Sequence, residues 1–177
     1  MPLQRLEPYG SKDPRPVLRG LSAGNCARLP DLRGVAQFEM LTNYLQLYAG
    51  AQLPDVANLR PFRSVIVIDN ETTPEWQSQV STWLVKSGCL YLMAWGAQCS
   101  AWHDSVDIAT LEEFGYGDIP DDKFVMTTWH EEEPLNEVLW FAKKSAVHPT
   151  VDLPNLLILH ISDVNKENEL ISAYENA

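Results

Sequence analysis

The stretch from Trp95 to Asp107, WGAQCSAWHDSVD, concentrates side chains that can do chemistry. Cys99 is followed by His103 and Asp104. A thiol near an imidazole that a carboxylate orients is the arrangement of a nucleophilic cysteine site. His130 comes directly after a later apolar run and is a second candidate base. An enzyme hypothesis therefore has four catalytic candidates: Cys99, His103, Asp104 and His130. The simpler alternative is that Cys99 is a small, buried, inert core residue.

The same stretch supplies metal-ligand types without a metal-ligand pattern. Cysteine, histidine and carboxylate side chains suit zinc, and HEEEP (130–134) adds further carboxylates. However, the sequence holds neither an HExxH nor a CxxC pair, so we expect no bound metal. Neither a P-loop nor a GxGxxG follows the first predicted strand, where DNETTPEW (69–76) stands instead. We therefore expect no nucleotide cofactor and no other cofactor.

Aromatic and acidic residues coincide at the ends of predicted strands. An indole beside carboxylates suits a cation or flat ligand, and also an anchor in a protein interface, while core packing is the competing interpretation. Two acidic loops, GYGDIPDDKF (115–124) and HEEEP (130–134), would form a single negative rim if both reached the same edge of the sheet. The binding candidates are Asp69, Trp95, Trp102, Asp118, Asp121, Asp122, Trp129, Glu131 and Glu132.

Four apolar runs define the elements that must position these residues. They are SVIVID (64–69), CLYLMAW (89–95), FVMTTW (124–129) and LLILHI (156–161). Continuous runs of this kind are typical of strands that are buried on both faces. Helical patterns separate or follow them, beginning at Thr73-Pro74, within 100–114, at Pro134 and at Asp163 as an N-cap. An earlier helix is predicted from the spacing of Phe38, Leu41, Leu45 and Tyr48, with Gly50 ending it.

Alternating strands and helices predict a small, doubly wound α/β domain over residues 34–177. Its four-stranded, mainly parallel sheet would carry helices on both faces, as in flavodoxin-like or Rossmann-like folds. The flavodoxin-like order would place the first predicted strand between the second and third, with Asp69 central at the ligand-binding edge. Five strand residues are expected to be fully buried: Ile66, Val67, Leu92, Met126 and Ile158. Residues 1–33, rich in proline, are predicted to be an irregular arm.

Charge and cysteine content limit the classes of function. The net charge of −11 repels phosphate backbones, which excludes general nucleic-acid binding and favours a basic partner. Six of the 13 basic residues lie within residues 1–33, so the remainder is more acidic still. Cys26, Cys89 and Cys99 are expected to be free thiols. No signal peptide and no bilayer-spanning apolar run is recognisable, which predicts a cytoplasmic protein with no membrane association.

Three segments resemble an uncharacterised bacterial domain family over roughly residues 62–161. They are CLYLMAWGAQCSAWHDSVD, YGDIPDDKFVMTTWHEEEPLNEVLWFAKKSA and LLILHI. The resemblance implies a bacterial origin and brings no catalytic residues with it. It adds weight to small bacterial accessory proteins, including immunity proteins that neutralise toxins.

Three hypotheses follow from the sequence. The favoured one is an acidic binding module, of the immunity or inhibitor type, that engages a basic protein such as a toxin. The alternative is a hydrolase or transferase with a Cys/His/Asp site at the carboxyl edge of the sheet. A domain that senses a small-molecule ligand without catalysis is the third.

Overall fold

The computed structural model describes residues 41–177, which build an α/β fold. The strands are β1 (Leu41–Leu47), β2 (Phe62–Ile68), β3 (Cys89–Gly96), β4 (Met126–His130) and β5 (Asn155–Ile161). The helices are α1 (Pro74–Ser87), α2 (Cys99–Glu113), α3 (Leu135–Lys144) and α4 (Glu167–Glu175), with a 3-10 turn at Ala57–Leu59. The predicted arm, residues 1–33, and Cys26 within it lie outside the described residues.

All five strands pair in parallel, in the order β1-β5-β2-β3-β4. Buried residues of α1 and α2 pack on one face of the sheet, whereas those of α3 and α4 pack on the other. The parallel α/β architecture predicted from the alternating pattern is therefore confirmed, but residues 41–177 form five strands instead of the four predicted. Because both faces are covered, the central strand β2 is buried along its whole length.

The helix predicted around Phe38–Gly50 is wrong over its described part, where the chain forms β1. Leu41 and Leu45 are four residues apart, a spacing that fits a helical face and also an alternating strand. In the structure Leu45 packs with the core under α1 and α2, and its neighbour Tyr44 packs on the opposite face. Pairing with β5 over the full length of β1 decides the conformation, which a local pattern does not encode.

The flavodoxin-like strand order is also wrong, because β2 lies between β5 and β3. The chain moves in one direction through β2, β3 and β4 by way of α1 and α2. It then returns across the other face through α3 and adds β5 beside β2. This reversal creates a topological switch point between β2 and β5, the place where open α/β sheets bind ligands.

Local signals for α1 are confirmed by its caps. Thr73 accepts a hydrogen bond from the Trp76 amide at 3.3 Å, and Pro74 opens the helix. Gly88 ends it in the left-handed region at φ +92°, and its amide donates to the Leu84 and Val85 carbonyls. By contrast, α4 begins at Glu167 and not after an Asp163 cap.

Of the five strand residues expected to be buried, four are buried: Ile66, Val67, Leu92 and Ile158. Met126 is partly exposed. It belongs to β4, which forms one edge of the sheet and therefore has a neighbouring strand on one side only among the described residues. The pattern of an apolar run did not distinguish a central strand from an edge strand.

Candidate functional site

At the switch point, four side chains from four elements form one hydrogen-bonded relay. His160 of β5 is fully buried, and its Nε2 lies 2.9 Å from Oδ2 of Asp69, which follows β2. Its Nδ1 lies 2.8 Å from the hydroxyl of Tyr44 on β1. Lys166 Nζ donates to the same Asp69 oxygen at 2.7 Å, and the Lys166 amide donates to the Tyr44 hydroxyl at 3.2 Å. The relay thus ties β1, β2 and β5 to the start of α4.

Asp69 and Lys166, the ion pair of the relay, each stabilise the charged form of the other. Partial burial acts to raise the pKa of Asp69, but hydrogen bonds from Lys166 and His160 outweigh it and hold this pKa below its usual value. The hydrogen bond to Asp69 in turn raises the pKa of Lys166. Burial raises the pKa of Tyr44, which keeps its phenol protonated and able to donate. We therefore infer that the relay holds β1, β2, β5 and the start of α4 together. Asp69 is its one carboxylate and is partly exposed.

The four catalytic candidates divide between the two faces of the sheet. His103 of α2 contacts the Trp129 ring at a centroid distance of 4.6 Å. His130, the next residue along β4, instead contacts Phe141 of α3 at 5.7 Å. Consecutive side chains of a strand point to opposite faces, so the two imidazoles cannot converge on one substrate atom across β4.

Each imidazole has its own carboxylate neighbours. His103 Nδ1 lies 3.2 Å from Oδ1 of Asp104, and its Nε2 lies 3.7 Å from Oδ2 of Asp107. His130 Nδ1 lies 3.7 Å from Glu133, and its Nε2 lies 3.1 Å from the Thr128 hydroxyl. Each imidazole therefore has its polar partners close by in the sequence, on α2 for His103 and on or just after β4 for His130.

Cys99 lies at the start of α2 and is buried. Burial raises the pKa of its thiol, although a hydrogen bond with the His130 backbone opposes this. The neutral thiol, which is not the nucleophilic form, is thus favoured at neutral pH. Cys89 is also a buried free thiol, and burial raises its pKa to about 12.

The three tryptophans predicted at strand ends have different environments. Trp102 is fully buried and packs edge-on against Trp76 at 6.4 Å, so it belongs to the core. Trp95 is partly buried and donates its indole N–H to the Glu133 carbonyl at 2.8 Å. Trp129, whose ring also contacts His103, is 49% exposed and is the most exposed of the three.

The single acidic rim expected from the sequence is not formed. Glu131 and Glu132 follow β4 at the carboxyl edge of the sheet. Asp118, Asp121 and Asp122 lie between α2 and β4, at the amino edge, because a helix that follows a parallel strand returns the chain to the opposite edge. There the Asp121 carbonyl accepts a hydrogen bond from Thr150 at 3.0 Å, in the segment that precedes β5.

The carboxyl edge still carries an acidic surface with an aromatic centre. We define the Trp129 surface as the residues that line a cavity of about 520 Å³ there: Trp129, Glu131, Glu132, Glu133, Pro134 and Glu137. All six are exposed. Asp69 does not belong to it, because β3 lies between β4 and β2, the strand that Asp69 follows.

Comparison with known protein families matches residues 42–177 to a domain of unknown function, DUF7684. The chain belongs to this family. The matched range coincides with the described sheet and helices, so the DUF7684 domain is the five-stranded fold itself. Searches of curated proteins and of solved structures gave no match.

Two further properties concern the described residues of this DUF7684 domain. Between 41 and 177, no three histidine, cysteine, aspartate or glutamate side chains form a group that could hold a metal ion. In the same range, no helix has the length and apolar character needed to cross a membrane.

Sequence reasoning missed most of the relay. It placed Asp69 at the ligand-binding edge and included His160 in the predicted strand 156–161, but it assigned Tyr44 to a helix and gave Lys166 no role. A polar run after a buried strand was the available signal for Asp69. No comparable signal existed for Tyr44, because its contact depends on β1 pairing beside β5.

Proposed function

We propose that this protein is a small, acidic, cytoplasmic bacterial binding module of the immunity or inhibitor type. Its partner would be a basic protein, such as a toxin. The observation that supports this proposal is the Trp129 surface, where an exposed indole stands among four glutamates. A half-exposed tryptophan at a site of strong negative charge is the chemistry that receives a lysine or arginine side chain.

Charge complementarity supports the same choice of partner. Residues 34–177 contain 7 lysine and arginine residues against 21 aspartate and glutamate residues. Such a field accelerates association with a basic protein and disfavours acidic ones. Trp129 would supply the apolar contact at the centre, and the glutamates would supply the polar periphery.

The hydrolase or transferase alternative draws less support from the geometry. Its thiol is buried with a raised pKa, and its two imidazoles lie on opposite faces of β4. A small-molecule ligand at the switch point would meet Asp69, whose acidic oxygen already accepts from His160 and Lys166. The first arrangement therefore offers no activated nucleophile, and in the second Oδ2 of Asp69 is already hydrogen-bonded within the protein.

Copurification from the native host tests the proposal directly. We expect a basic protein in a stoichiometric complex with the full chain. Replacing Glu131, Glu132 and Glu133 with glutamine should raise the dissociation constant of that complex about tenfold, since each exposed charge contributes a fraction of a kcal/mol.

The matched control neutralises Glu167, Glu169 and Glu175 on α4, which removes the same charge far from β4. Equal losses for the two triple variants would mean that net charge, and not the Trp129 surface, governs binding. Isolation of the chain without a stoichiometric partner, or with an acidic one, would contradict the proposal.

A further inference from the structure

The outer edge of β4 is open along the described part of the chain. β4 pairs with β3 on one side, and no other strand between residues 41 and 177 pairs with its second side. An open edge presents unpaired backbone N–H and C=O groups, and this makes it a template for another strand.

Cavities adjoin β4 on both of its faces. On the α2 face, a cavity of about 340 Å³ is lined by apolar groups that include Leu111, Phe124 and Val125. On the α3 face, a cavity of about 360 Å³ lies between His130 and Trp140. Phe124 and Trp140, which line one cavity each, are 46% and 51% exposed, so each offers apolar contact area to a bound segment. An added strand directs alternate side chains to the two faces of a sheet, so it would fill both cavities.

Both ends of β4 are acidic. Asp118, Asp121 and Asp122 precede it, with Lys123 pairing with Asp122 at 3.5 Å, and Glu131–Glu133 follow it. A second copy of this chain that paired antiparallel across β4 would set the aspartates of one copy against the glutamates of the other. Like charges opposed across a strand pair are destabilising, so the charge pattern disfavours a dimer through this edge.

We propose that β4 binds an extended segment of a basic protein as an additional strand of the sheet. This inference rests on the proposed function and specifies how the partner docks. The segment would have apolar or β-branched residues at its centre, for the two cavities, and lysine or arginine at both ends. A segment bound in this way would contact both acidic loops, because one loop precedes β4 and the other follows it.

The probe is a short synthetic peptide of alternating valine and threonine with two basic residues at each end. Hydrogen exchange of the full chain should slow at amides within Met126–His130 when the peptide is added. A peptide of the same sequence with N-methyl groups on every central residue keeps the charge but loses the backbone donors of both of its edges. With it, the protection should be lost.

The outcomes separate strand addition from the broader binding proposal. Equal binding of both peptides, weakened by the Glu131, Glu132 and Glu133 replacements, would overturn strand addition while the basic-partner function stands. Strand addition would also be overturned if neither peptide bound but a native partner did bind and depended on those glutamates. Protection of Met126–His130 in a dimer without peptide would overturn it in favour of self-pairing.

Discussion

Asp69 shows how a single side chain can link four elements. Its Oδ2 atom accepts from buried His160 and from Lys166, and His160 in turn contacts Tyr44. A buried imidazole that loses its partner has an unsatisfied polar atom, which costs about 1–3 kcal/mol. The carboxylate is thus important to the fold even though it is partly exposed.

We therefore expect Asp69→Ala to lower the free energy of unfolding by about 1–3 kcal/mol at pH 7. Asp69→Asn should cost less, because its amide oxygen can still accept from His160. Urea denaturation followed by circular dichroism measures both values. Equal stability of Asp69→Ala and the unchanged protein would show that the relay contributes nothing.

The pH dependence of this contribution has a definite sign. Because the folded-state pKa of Asp69 is lowered from 3.8, its carboxylate contributes stability that is fully present above about pH 4. This contribution is lost as the pH falls through the folded-state pKa. The stability difference between the unchanged protein and Asp69→Asn should therefore shrink below pH 4, as measured by urea denaturation in acidic buffers.

The cysteines give a second prediction at the residue scale. Cys89 and Cys99 are buried with raised pKa values, so thiol reagents should modify neither in the native protein at pH 7. Titration after denaturation without reductant should return three thiols, including Cys26. Rapid alkylation of Cys99 in the folded protein would instead revive the nucleophile hypothesis.

At the scale of elements, the turn from α1 to β3 depends on a glycine. Gly88 has φ +92°, and a Cβ there would stand 2.5 Å from Nε of Arg60. The guanidinium of Arg60 donates to the carbonyls of Lys86 and Ser87 at the end of α1, so it is not free to move aside without loss.

Gly88→Ala should therefore lower stability by more than the ~1 kcal/mol expected from a left-handed backbone position alone. Gly50→Ala is the matched control, because Gly50 has φ +83° and nothing within 4 Å of the added Cβ. Thermal and urea unfolding should rank the two variants in this order. A larger loss for Gly50→Ala would contradict the proposed contact.

At the scale of the whole molecule, acidic residues lie both at the amino ends and at the carboxyl ends of the parallel strands. The aspartates of 118–122 precede β4 and the glutamates of 131–133 follow it, so both groups flank the same edge strand. This distribution along one strand is the reason that we propose an extended basic partner for β4.

The metal content of the whole chain tests the binding-module proposal against the enzyme hypothesis. We expect elemental analysis of the purified, full-length protein to find less than one zinc per chain. One tightly bound zinc per chain would favour the enzyme hypothesis, with a metal-activated water as the nucleophile.

The sequence by itself determined the α/β class, the parallel sheet and the helix that starts at Thr73-Pro74, because burial on two faces and helix caps are local properties of the chain. It also located Asp69, Trp129 and Glu131 at the carboxyl edge. Only the tertiary structure decided that 41–47 is a strand, that β2 lies beside β5, and that His103 and His130 are on opposite faces. These depend on which strands pair, and strand pairing is set by contacts between segments that are far apart in the chain.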